Sequence, residues 1–546
     1  MSVLAGHPRD HYDVVVAGSG AAGLTAALGA AGAGLSVLVA EKAERLGGTS
    51  AVGGGVIWAP GNHLMAAAGF PDSDEDARAY LAAGTGGRMS DDEIASYVRT
   101  APEAVRALCD HGVRMRSLAR PDYHPEWAGA ARGRGLDQEP FDPRPWPGLA
   151  ELLRPPTYLP LLTMSERDRL AGAAPDPGLL ADRRAAGVRT MGGALVGRLV
   201  VAAVARGVDL VVGSPVTGLE RSPGGWELVV GSARVTASAV VLASGGFEWS
   251  QELREEHLAY PVTPISAPSN TGDGLRLGLA AGAAVAGMTS VWGVPVITPP
   301  DAVYDGMPSG RMGNVEMTMP GSVTVNAGGH RFVNEATNYH DLNRAFGAVD
   351  PGTGRYTNVP AFLVFDRSYA ERYPVAGASP TAPGSWIERA DDLAALARLT
   401  GIDAAGLVAT VAAFNRHARD GRDPEFGRGA SPQDRHLGDP AIVPNPCLAP
   451  LETPPFYAVP VHAGVLGTAG GLHTDPDGRV LARKDHGGVL HGLFAAGNCA
   501  ATLFADAYPG GGATLGSAVV RAHRVGRRLA RDLTAATGPA GELAAS

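Results

Sequence analysis

Three glycines near the N-terminus have the spacing that suits binding of a dinucleotide's phosphates. Gly18, Gly20 and Gly23 form a GxGxxG pattern. The first glycine permits a tight turn, the second lets the backbone approach a pyrophosphate, and the third allows a helix to pack closely on a strand. Glu41 follows Gly18 by 23 positions, near the spacing of about 20 at which an acid hydrogen-bonds a ribose hydroxyl. The pattern predicts a dinucleotide site; the alternative is a glycine-rich turn that only packs a helix on a sheet.

The elements around these glycines have the order that such a site needs. Residues 12–17 form a Val-rich apolar run, which is typical of a strand buried on both faces. The Ala-rich residues 24–31 predict a helix, and residues 36–40 predict a second strand that ends at Glu41. A helix that begins at the glycine turn directs its partial positive charge at the phosphates.

A second glycine-rich segment follows the acid and distinguishes the candidate cofactors. Gly47, Gly48, Thr49 and Ser50 lie where a simple nicotinamide domain would continue with ordinary strands and helices. Backbone amides and small hydroxyls can line a flavin's ribityl chain and ring without steric obstruction. The segment therefore favours FAD over NAD, with a surface loop as the alternative.

Later segments indicate that the nucleotide-binding domain is interrupted and then completed. Residues 235–246 and 492–498 predict strands that end in small residues, and residues 513–529 predict an apolar-faced helix with four arginines. Because these segments complete the domain that opens near residue 12, the middle of the chain must be an insertion. We predict an α/β fold: a Rossmann-like FAD-binding domain in two parts, residues 1–290 and 450–546, with an inserted α+β substrate (catalytic) domain, residues 291–449.

Within and before this insertion, the local patterns are weaker. Residues 323–326, 330–335 and 360–366 predict strands and turns, and the polar residues 391–417 predict helix. Residues 121–184 are rich in Pro and Arg, which predicts loop and short helices packed on the nucleotide-binding domain.

Composition disfavours several classes of partner and site. The chain of 546 residues has 46 Lys and Arg against 55 Asp and Glu, a formal net charge of −9, so we expect no nucleic-acid partner. Three cysteines are too few and too scattered for a disulfide framework or a zinc site. No spacing of histidines or carboxylates suggests a metal, and we predict none.

The sequence also predicts neither a membrane span nor export. Residues 14–40 carry no charge and are long enough for a membrane helix, yet six glycines would weaken that helix by about 1 kcal/mol each. Residues 1–10 lack the apolar core of a secretion signal. We therefore expect a cytoplasmic protein.

Taken together, the motifs resemble the FAD-dependent fumarate reductase and 3-ketosteroid dehydrogenase superfamily along nearly the whole chain. The supporting segments, each given with its first residue, are GSGAAG at Gly18, GGTSAVGGG at Gly47, VVLASGGFE at Val240, SNTGDG at Ser269, RFVNEATNY at Arg331, VLGTAGG at Val465 and AAGNCAATLFADAYPGGGATLG at Ala495. The resemblance implies FAD. The covalent branch of the superfamily attaches its flavin through a His after the second glycine segment, and residues 49–55 contain none, so we predict non-covalent FAD.

The cofactor-binding residues that the glycine segments and the resemblance imply fall in eight stretches of the chain. They are Gly18, Gly20, Ala21, Ala22, Gly23, Glu41, Lys42, Gly47, Gly48, Thr49, Ser50, Gly54, Gly55, Val216, Ala243, Ser244, Gly245, Asp273, Gly497, Asn498, Thr514 and Leu515.

Within the superfamily, residues 508–512 (YPGGG) resemble the YPGxG segment of the 3-ketosteroid Δ1-dehydrogenases. The resemblance implies that the Tyr508 hydroxyl and the Gly512 amide hydrogen-bond a ring ketone, which stabilises enolate charge. It also implies that Tyr339 removes the proton beside the ketone and that Tyr123 assists. The alternative for each tyrosine is a packed ring with a satisfied hydroxyl.

The implied reaction is removal of two hydrogens from adjacent carbons of a small apolar ketone, most simply a 3-ketosteroid at carbons 1 and 2. Gly511 stands where the steroid enzymes usually have Pro, so other cyclic ketones stay open as substrates. Two other functions also stay open: a reductase of the same fold acting on an enone or unsaturated acid, against which the absence of a visible arginine clamp counts, and a non-catalytic flavoprotein. No second GxGxxG appears, so NAD(P)H is not expected as a partner, and the electron acceptor is unknown.

Overall fold

The structure, a computed structural model, describes residue 4 and residues 6–170, 174–379, 384–484 and 487–536. Residues 1–3 and 5 belong to the N-terminal segment in which we predict no secretion signal, and they lie outside the described residues. Residues 537–546, at the end of the predicted second part of the FAD-binding domain, also lie outside them. The chain forms two compact units. The first contains Met1–Leu258, Ser266–Val291 and Gly467–Ser546, and the second contains Ala259–Ile265 and Trp292–Leu466.

The first unit is built on a largely parallel sheet that carries the predicted nucleotide site. The strand His11–Ala17 lies between Val37–Ala40 and Ala233–Leu242 and is parallel to both. Val14, Val15 and Val16 are fully buried, as the apolar run predicts. The sheet order is Arg479–Leu481, Val489–Ala495, Ala233–Leu242, His11–Ala17, Val37–Ala40 and Asp209–Val211, with the hairpin Val216–Ser222 and Gly225–Val230 joined to Ala233–Leu242.

Smaller elements complete this unit. A three-stranded antiparallel sheet contains Ile57–Trp58, Gly135–Gln138 and Met115–Ser117, and Val285–Ala286 pairs with Gly471–Leu472. The helices are Ala21–Ala31, Gly48–Val52, His63–Ala67, Asp74–Thr85, Asp91–Asp110, Leu149–Leu152, Met164–Leu170, Pro177–Ala185, Met191–Ala205, Gln251–His257, Asp273–Ala280, the short 3-10 turn Gly497–Cys499, and Ala513–Ala536. The predicted loops and short helices of residues 121–184 are present among these, apart from residues 171–173, which lie outside the described residues.

The first and last helices of this unit meet through glycine. A Cβ atom on Gly29 would lie 2.8 Å from the Gly526 Cα, so the two backbones touch where Ala21–Ala31 crosses Ala513–Ala536. The C-terminal helix thus packs directly on the first helix of the same unit.

The second unit contains a seven-stranded sheet around the long strand Phe456–Thr468. Its order is Arg311–Met312, Val291–Ile297, Phe456–Thr468, Ala361–Asp366 and Ser322–Asn326, with Thr263–Pro264 and Glu388–Ala390 also paired to Phe456–Thr468 and a separate hairpin of Val303–Tyr304 and Met307–Pro308. The helices are Asn314–Thr318, Tyr339–Arg344, the 3-10 turn Ala345–Gly347, Arg367–Ala370, Leu393–Thr400, Ala404–Ala418 and Pro432–His436.

The strand Ala361–Asp366 shows why this sheet is buried on both faces. Leu363 and Phe365 belong to one apolar cluster, and Phe362 and Val364 belong to another. The helices Leu393–Thr400 and Ala404–Ala418 cover the second cluster.

Two segments of the second unit can be compared with their predictions. The helix predicted over residues 391–417 is broken in two, because Gly401 adopts a left-handed φ of +75° and Asp403 caps the next helix by accepting from the Gly406 amide. Residues 330–335 form turns with only an isolated backbone pairing of Arg331 to Val325.

The limits of the second unit can be compared with those of the inserted domain that we predict at residues 291–449. The second unit begins at Trp292 but continues to Leu466, since Phe456–Thr468 is central to its sheet, and it also takes in Ala259–Ile265. Among the described residues, no helix combines the length and the apolar character needed to cross a bilayer.

Candidate active site

Two glycines of the first turn are required by the packing of the protein itself. Gly18 has a left-handed φ of +108°, and a Cβ there would lie 2.5 Å from the Ala243 carbonyl oxygen. A Cβ on Gly23 would lie 2.0 Å from the Gly18 carbonyl oxygen. The turn and the close approach of helix to strand therefore have the causes that the sequence predicts.

Gly20 differs, because nothing in the protein excludes a side chain there. Its φ is −68°, and a Cβ would lie 3.4 Å from the Ser50 Oγ, an ordinary contact. Gly20 immediately precedes the helix Ala21–Ala31, whose first amide donates to Ser50 Oγ at 3.0 Å. A methyl group would instead occupy the space before the helix terminus, where a pyrophosphate would bind. The turn therefore fits a dinucleotide.

Glu41 is tied to this turn through Ser19. The amide and hydroxyl of Ser19 donate to Glu41 Oε2 at 3.1 and 2.6 Å, and the Ala43 amide donates to Oε1 at 2.9 Å. Ser19 Oγ also accepts from the Gly47 amide at 2.9 Å. Ser19, which the sequence analysis left unassigned although it lies inside the motif, joins the acid to both glycine segments.

Lys42 and Asp273, both predicted to contact the cofactor, pair with each other. Lys42 Nζ lies 2.6 Å from Asp273 Oδ2 and donates to Thr271 Oγ1 at 2.7 Å. The pair connects the end of the second strand to the helix Asp273–Ala280. Their contact with the cofactor stays a prediction.

A buried acid that the sequence analysis left unassigned, Glu248, supports the second glycine segment. Its Oε1 accepts from Ser266 Oγ at 2.6 Å and from Asn270 Nδ2 at 2.7 Å. Asn270 Nδ2 also donates to Thr49 Oγ1 at 2.8 Å. Burial raises the pKa of Glu248 above its usual range. Glu248 lies in the motif VVLASGGFE, and Asn270 lies in the motif SNTGDG. Their places in these motifs were the sequence signal that could have identified them.

The remaining predicted cofactor residues differ in backbone conformation and in burial. Gly245, Gly497, Gly48 and Gly55 have left-handed φ values, and a Cβ on Gly497 would lie 3.0 Å from the Ala22 Cβ, which places these two predicted residues together. Ser244 Oγ accepts from the Gly274 amide at 3.0 Å. Val216 is different, because its side chain packs in the apolar core. Gly54, Asn498 and Leu515 are partly buried and stay predictions.

The 508–512 turn is the second candidate centre of this unit. Tyr508 is buried, and its ring stacks on Tyr123 with centroids 5.5 Å apart and planes 19° from parallel. Thr514 Oγ1 donates to the Tyr508 hydroxyl at 3.4 Å. Gly512 has a φ of +98°, and a Cβ there would lie 2.5 Å from the Val56 carbonyl oxygen. The structure thus brings together Tyr123, Tyr508 and Gly512.

Backbone contacts hold this turn against its unit. The Pro509 carbonyl accepts from Tyr80 Oη at 2.6 Å and from the Tyr123 amide at 3.1 Å. The Gly512 carbonyl accepts from the Trp58 amide at 3.1 Å. Burial raises the pKa of Tyr80, so this phenol stays protonated and donates.

Tyr339 lies in the second unit as the first residue of the helix Tyr339–Arg344. Asn338 caps this helix by accepting from the Asp341 amide at 3.0 Å. The half-buried Tyr339 ring packs beside a small apolar cluster of Ile265, Val294 and Val296.

The segment before Tyr339 is fixed by buried ion pairs. Arg331 Nη2 lies 2.6 Å from Glu335 Oε2 and 2.8 Å from Asp423 Oδ2. Burial alone would raise the pKa of Glu335, but Arg331 and Arg428 hold it below its usual range. The RFVNEATNY segment is therefore held by charge rather than by a strand ladder.

In the part of the chain that the structure describes, no group of three or more His, Cys, Asp or Glu side chains could hold a metal ion. Cys499, inside the last motif, is buried beside Ser244, and burial raises the pKa of its thiol to about 12.

Comparison with known proteins supports the sequence resemblance. Residues 13–515 match the FAD binding domain family. The chain is 40% identical to a 4-oxocyclohexanecarboxylate 2-dehydrogenase of Sinomonas cyclohexanicum, over 97% of this chain and 95% of that protein. It is 34% identical to a 3-oxosteroid 1-dehydrogenase of Mycolicibacterium smegmatis, over 93% and 95% of the two chains.

A solved structure gives the same result for the fold. The 3-ketosteroid Δ1-dehydrogenase of Sterolibacterium denitrificans, in complex with 1,4-androstadiene-3,17-dione, superposes with a TM-score of 0.88 at 34% identity, covering 96% of this chain and 100% of that one. The predicted FAD-binding fold is thereby confirmed. The chain belongs to the FAD-dependent dehydrogenases of the 3-oxosteroid 1-dehydrogenase family, which are oxidoreductases that act on CH–CH bonds.

Proposed function

We propose that this enzyme introduces a carbon-carbon double bond next to a ring ketone, with the 508–512 turn binding the ketone oxygen. The observation that carries the proposal is the stack of Tyr123 on Tyr508 beside the left-handed Gly512. A tyrosine that only packs would need neither a second phenol stacked on it nor, at the same turn, a backbone conformation that favours glycine.

A ketone placed against this turn would accept hydrogen bonds from the Tyr508 hydroxyl and the Gly512 amide. Both donors favour the negative charge that develops on the oxygen when the neighbouring carbon loses a proton. The Thr514 hydroxyl lies 3.4 Å from the Tyr508 hydroxyl and donates to it.

We assign the removal of that proton to Tyr339, as the family resemblance implies. An ordinary tyrosine pKa is about 10, so a base at neutral pH needs a lowered pKa or a partner that accepts the proton. Tyr123 is the proposed assistant. The cofactor, when bound, supplies the acceptor for the hydride from the adjacent carbon.

The residues that would hold FAD follow from the two glycine segments. Gly20 and Ser50 would border the pyrophosphate at the start of Ala21–Ala31, and Glu41 would accept from the ribose. Thr49, held by Asn270, would line the flavin.

For the substrate, a 3-ketosteroid is the first candidate, since the steroid enzymes cover nearly the whole chain. A smaller ring ketone is the second. It is favoured by the 40% identity to the Sinomonas enzyme, which is named for a cyclohexanone carboxylate, and by Gly511 in place of the usual proline. Both candidates contain a ketone in a six-membered ring.

The test is turnover of the purified holoenzyme with a dye as external electron acceptor. One reaction receives 4-androstene-3,17-dione and another receives 4-oxocyclohexanecarboxylate, and the products are analysed by mass spectrometry. A product that is lighter by two hydrogens and has a new double bond conjugated to the ketone supports the proposal, and the ketone that yields it identifies the substrate class. If neither ketone is oxidised, but the reduced enzyme transfers hydrogen to the corresponding compound with one more double bond next to the ketone, the function is that of a reductase.

A further inference from the structure

We propose that Asp122 is a positioning residue for the 508–512 turn, acting through Trp58 and Tyr123 on the direction of the Tyr508 hydroxyl and the Gly512 amide. The importance of that direction for catalysis rests on the proposed function, whereas the positioning itself is a property of this unit. The Asp122 carboxylate accepts hydrogen bonds from Trp58, Ala131 and Arg134.

The turn needs support from outside itself. Residues 510–512 are three consecutive glycines, and glycine has the largest conformational freedom of any residue. A Cβ on Gly510 would lie 2.5 Å from the Trp58 ring, and a Cβ on Gly511 would lie 3.3 Å from the Tyr123 hydroxyl. Trp58 and Tyr123 therefore contact the turn at successive glycines.

Trp58 forms the first connection to Asp122. Its amide donates to the Gly512 carbonyl at 3.1 Å, and its indole Nε1 donates to Asp122 Oδ1 at 2.8 Å. The same carboxylate oxygen would lie 3.3 Å from a Cβ on Gly510. The Asp122 carboxylate thus lies directly beside the turn and fixes the indole that covers it.

Tyr123 forms the second connection, because it is the next residue in the chain. The Asp122 amide donates to the Ala131 carbonyl at 2.9 Å, and the Ala131 amide donates back to Asp122 Oδ2 at 3.0 Å. This exchange fixes the backbone from which the Tyr123 amide reaches the Pro509 carbonyl and its ring reaches Tyr508.

A buried ion cluster holds Asp122 in turn. Arg134 lies 2.7 Å from Asp122 Oδ2 and 2.6 Å from Asp72 Oδ1, and these side chains are at most 2% exposed. The guanidinium also lies over the Trp58 and Tyr80 rings, 5.9 and 5.3 Å from their centroids. Buried ion pairs are a costly source of stability, and their best use is to specify one geometry. Here Arg134 contacts Asp122, Trp58 and Tyr80, and each of these three residues lies against the turn.

The primary test is Asp122→Asn in the FAD-loaded enzyme, with hydrogen exchange and kinetics as separate readouts. We expect amide exchange of the peptide covering residues 508–512 to become at least several-fold faster. With whichever ring ketone the wild type oxidises, kcat should fall about tenfold to a hundredfold while KM changes less than threefold, because small misplacements of catalytic groups cost up to about a hundredfold.

Two further variants keep the test sharp. Trp58→Phe removes the Nε1 donor to Asp122 together with part of a buried indole. Because both variants lose the same hydrogen bond, their effects should add up to less than the sum in the double variant. Glu166→Gln is the matched control, since Glu166 pairs with Arg183 at 2.7 Å in the same unit without touching the turn. It should leave both the exchange of residues 508–512 and kcat unchanged.

The outcomes are distinguishable. Unchanged exchange of residues 508–512 in both Asp122→Asn and Trp58→Phe, or the same increase in Glu166→Gln, would overturn the positioning role. Faster exchange in an enzyme whose wild type oxidises no ring ketone would support the positioning role and refute the proposed function.

Discussion

The two turns of the first unit, residues 18–23 and residues 508–512, are both glycine-rich, yet they are held in different ways. In the first, the atoms that exclude a side chain at Gly18 and Gly23 belong to the turn itself and to the adjacent strand end at Ala243. In the second, the supporting groups come from Trp58, Tyr80 and Tyr123, hundreds of positions away in sequence. At the nucleotide turn, the atoms nearest to an added Cβ are backbone atoms of Gly18 itself and of the neighbouring strand end, whereas the proposed ketone turn is held by aromatic residues from distant segments.

The largest effect that this comparison predicts is for Gly23→Ala. The new Cβ would lie 2.0 Å from the Gly18 carbonyl oxygen, and backbone cannot yield there without opening the turn. We expect a loss of about 3 kcal/mol or more in the free energy of unfolding, with little FAD retained. Thermal unfolding and flavin content after purification check this. Normal stability with full FAD would show that the turn is not held by its own glycines.

The next largest effect is for Tyr508→Phe, which tests the second turn. Removal of one oxyanion donor should lower kcat about 10²–10³-fold, about 2.7–4 kcal/mol, while FAD content stays at the wild-type level. Steady-state kinetics with the accepted ketone provide the measurement. Tyr12→Phe is the control, because it removes a phenol that donates to Asp209 at 2.8 Å in the same unit. Equal losses in the two variants would contradict a ketone-binding role.

Gly20→Ala separates folding from cofactor binding within the first turn. The protein has room for the methyl group, whose nearest neighbour would be Ser50 Oγ at 3.4 Å. We expect the apoprotein to unfold at the wild-type temperature but to bind FAD at least tenfold more weakly, about 1.4 kcal/mol. Titration of apoprotein with FAD, followed by flavin fluorescence, decides the matter. Wild-type affinity would mean that the pyrophosphate does not approach Gly20.

Glu248→Gln should have the smallest effect of the four. The amide keeps the size of the side chain but has one acceptor oxygen instead of two. It therefore cannot accept from Ser266 and Asn270 with one oxygen and from the Thr468 amide with the other. The Thr49 position should loosen, and FAD should bind a few-fold more weakly with little change in kcat. The same titration checks it; a variant that loses all activity at saturating FAD would give Glu248 a role beyond holding this segment.

The comparison also explains what the sequence could predict. The strand, turn, helix and acid around Gly18 were predictable because their spacing is local and each glycine has a separate reason. The reason is a close contact within the protein at Gly18 and Gly23 and the predicted pyrophosphate at Gly20. Ser19 and Glu248 lay inside recognised motifs, but their partners come from other segments, so the pattern could not assign them.

The support of the second turn could not be predicted in the same way. Asp72, Asp122 and Arg134 are distant from residues 508–512 in sequence, and two of them lie in the Pro- and Arg-rich stretch without periodicity. Charged residues in such a stretch usually indicate a solvated surface, whereas Arg134 is buried between two carboxylates. The prediction of one helix over residues 391–417 was wrong for a simpler reason. Gly401 ends the first helix and Asp403 caps the second. Both signals are present in the sequence, but the composition of the stretch obscured them.

The most direct test of the central claim is anaerobic mixing of the yellow holoenzyme with 4-androstene-3,17-dione or 4-oxocyclohexanecarboxylate while the absorbance of the oxidised flavin is followed. Dehydrogenation next to a ring ketone predicts rapid bleaching with at least one of the two ketones and an equal amount of product with one more carbon-carbon double bond. Bleaching should be slowed about 10²–10³-fold in Tyr508→Phe. A flavin that stays oxidised with both ketones, or one that bleaches equally fast in Tyr508→Phe, would contradict it.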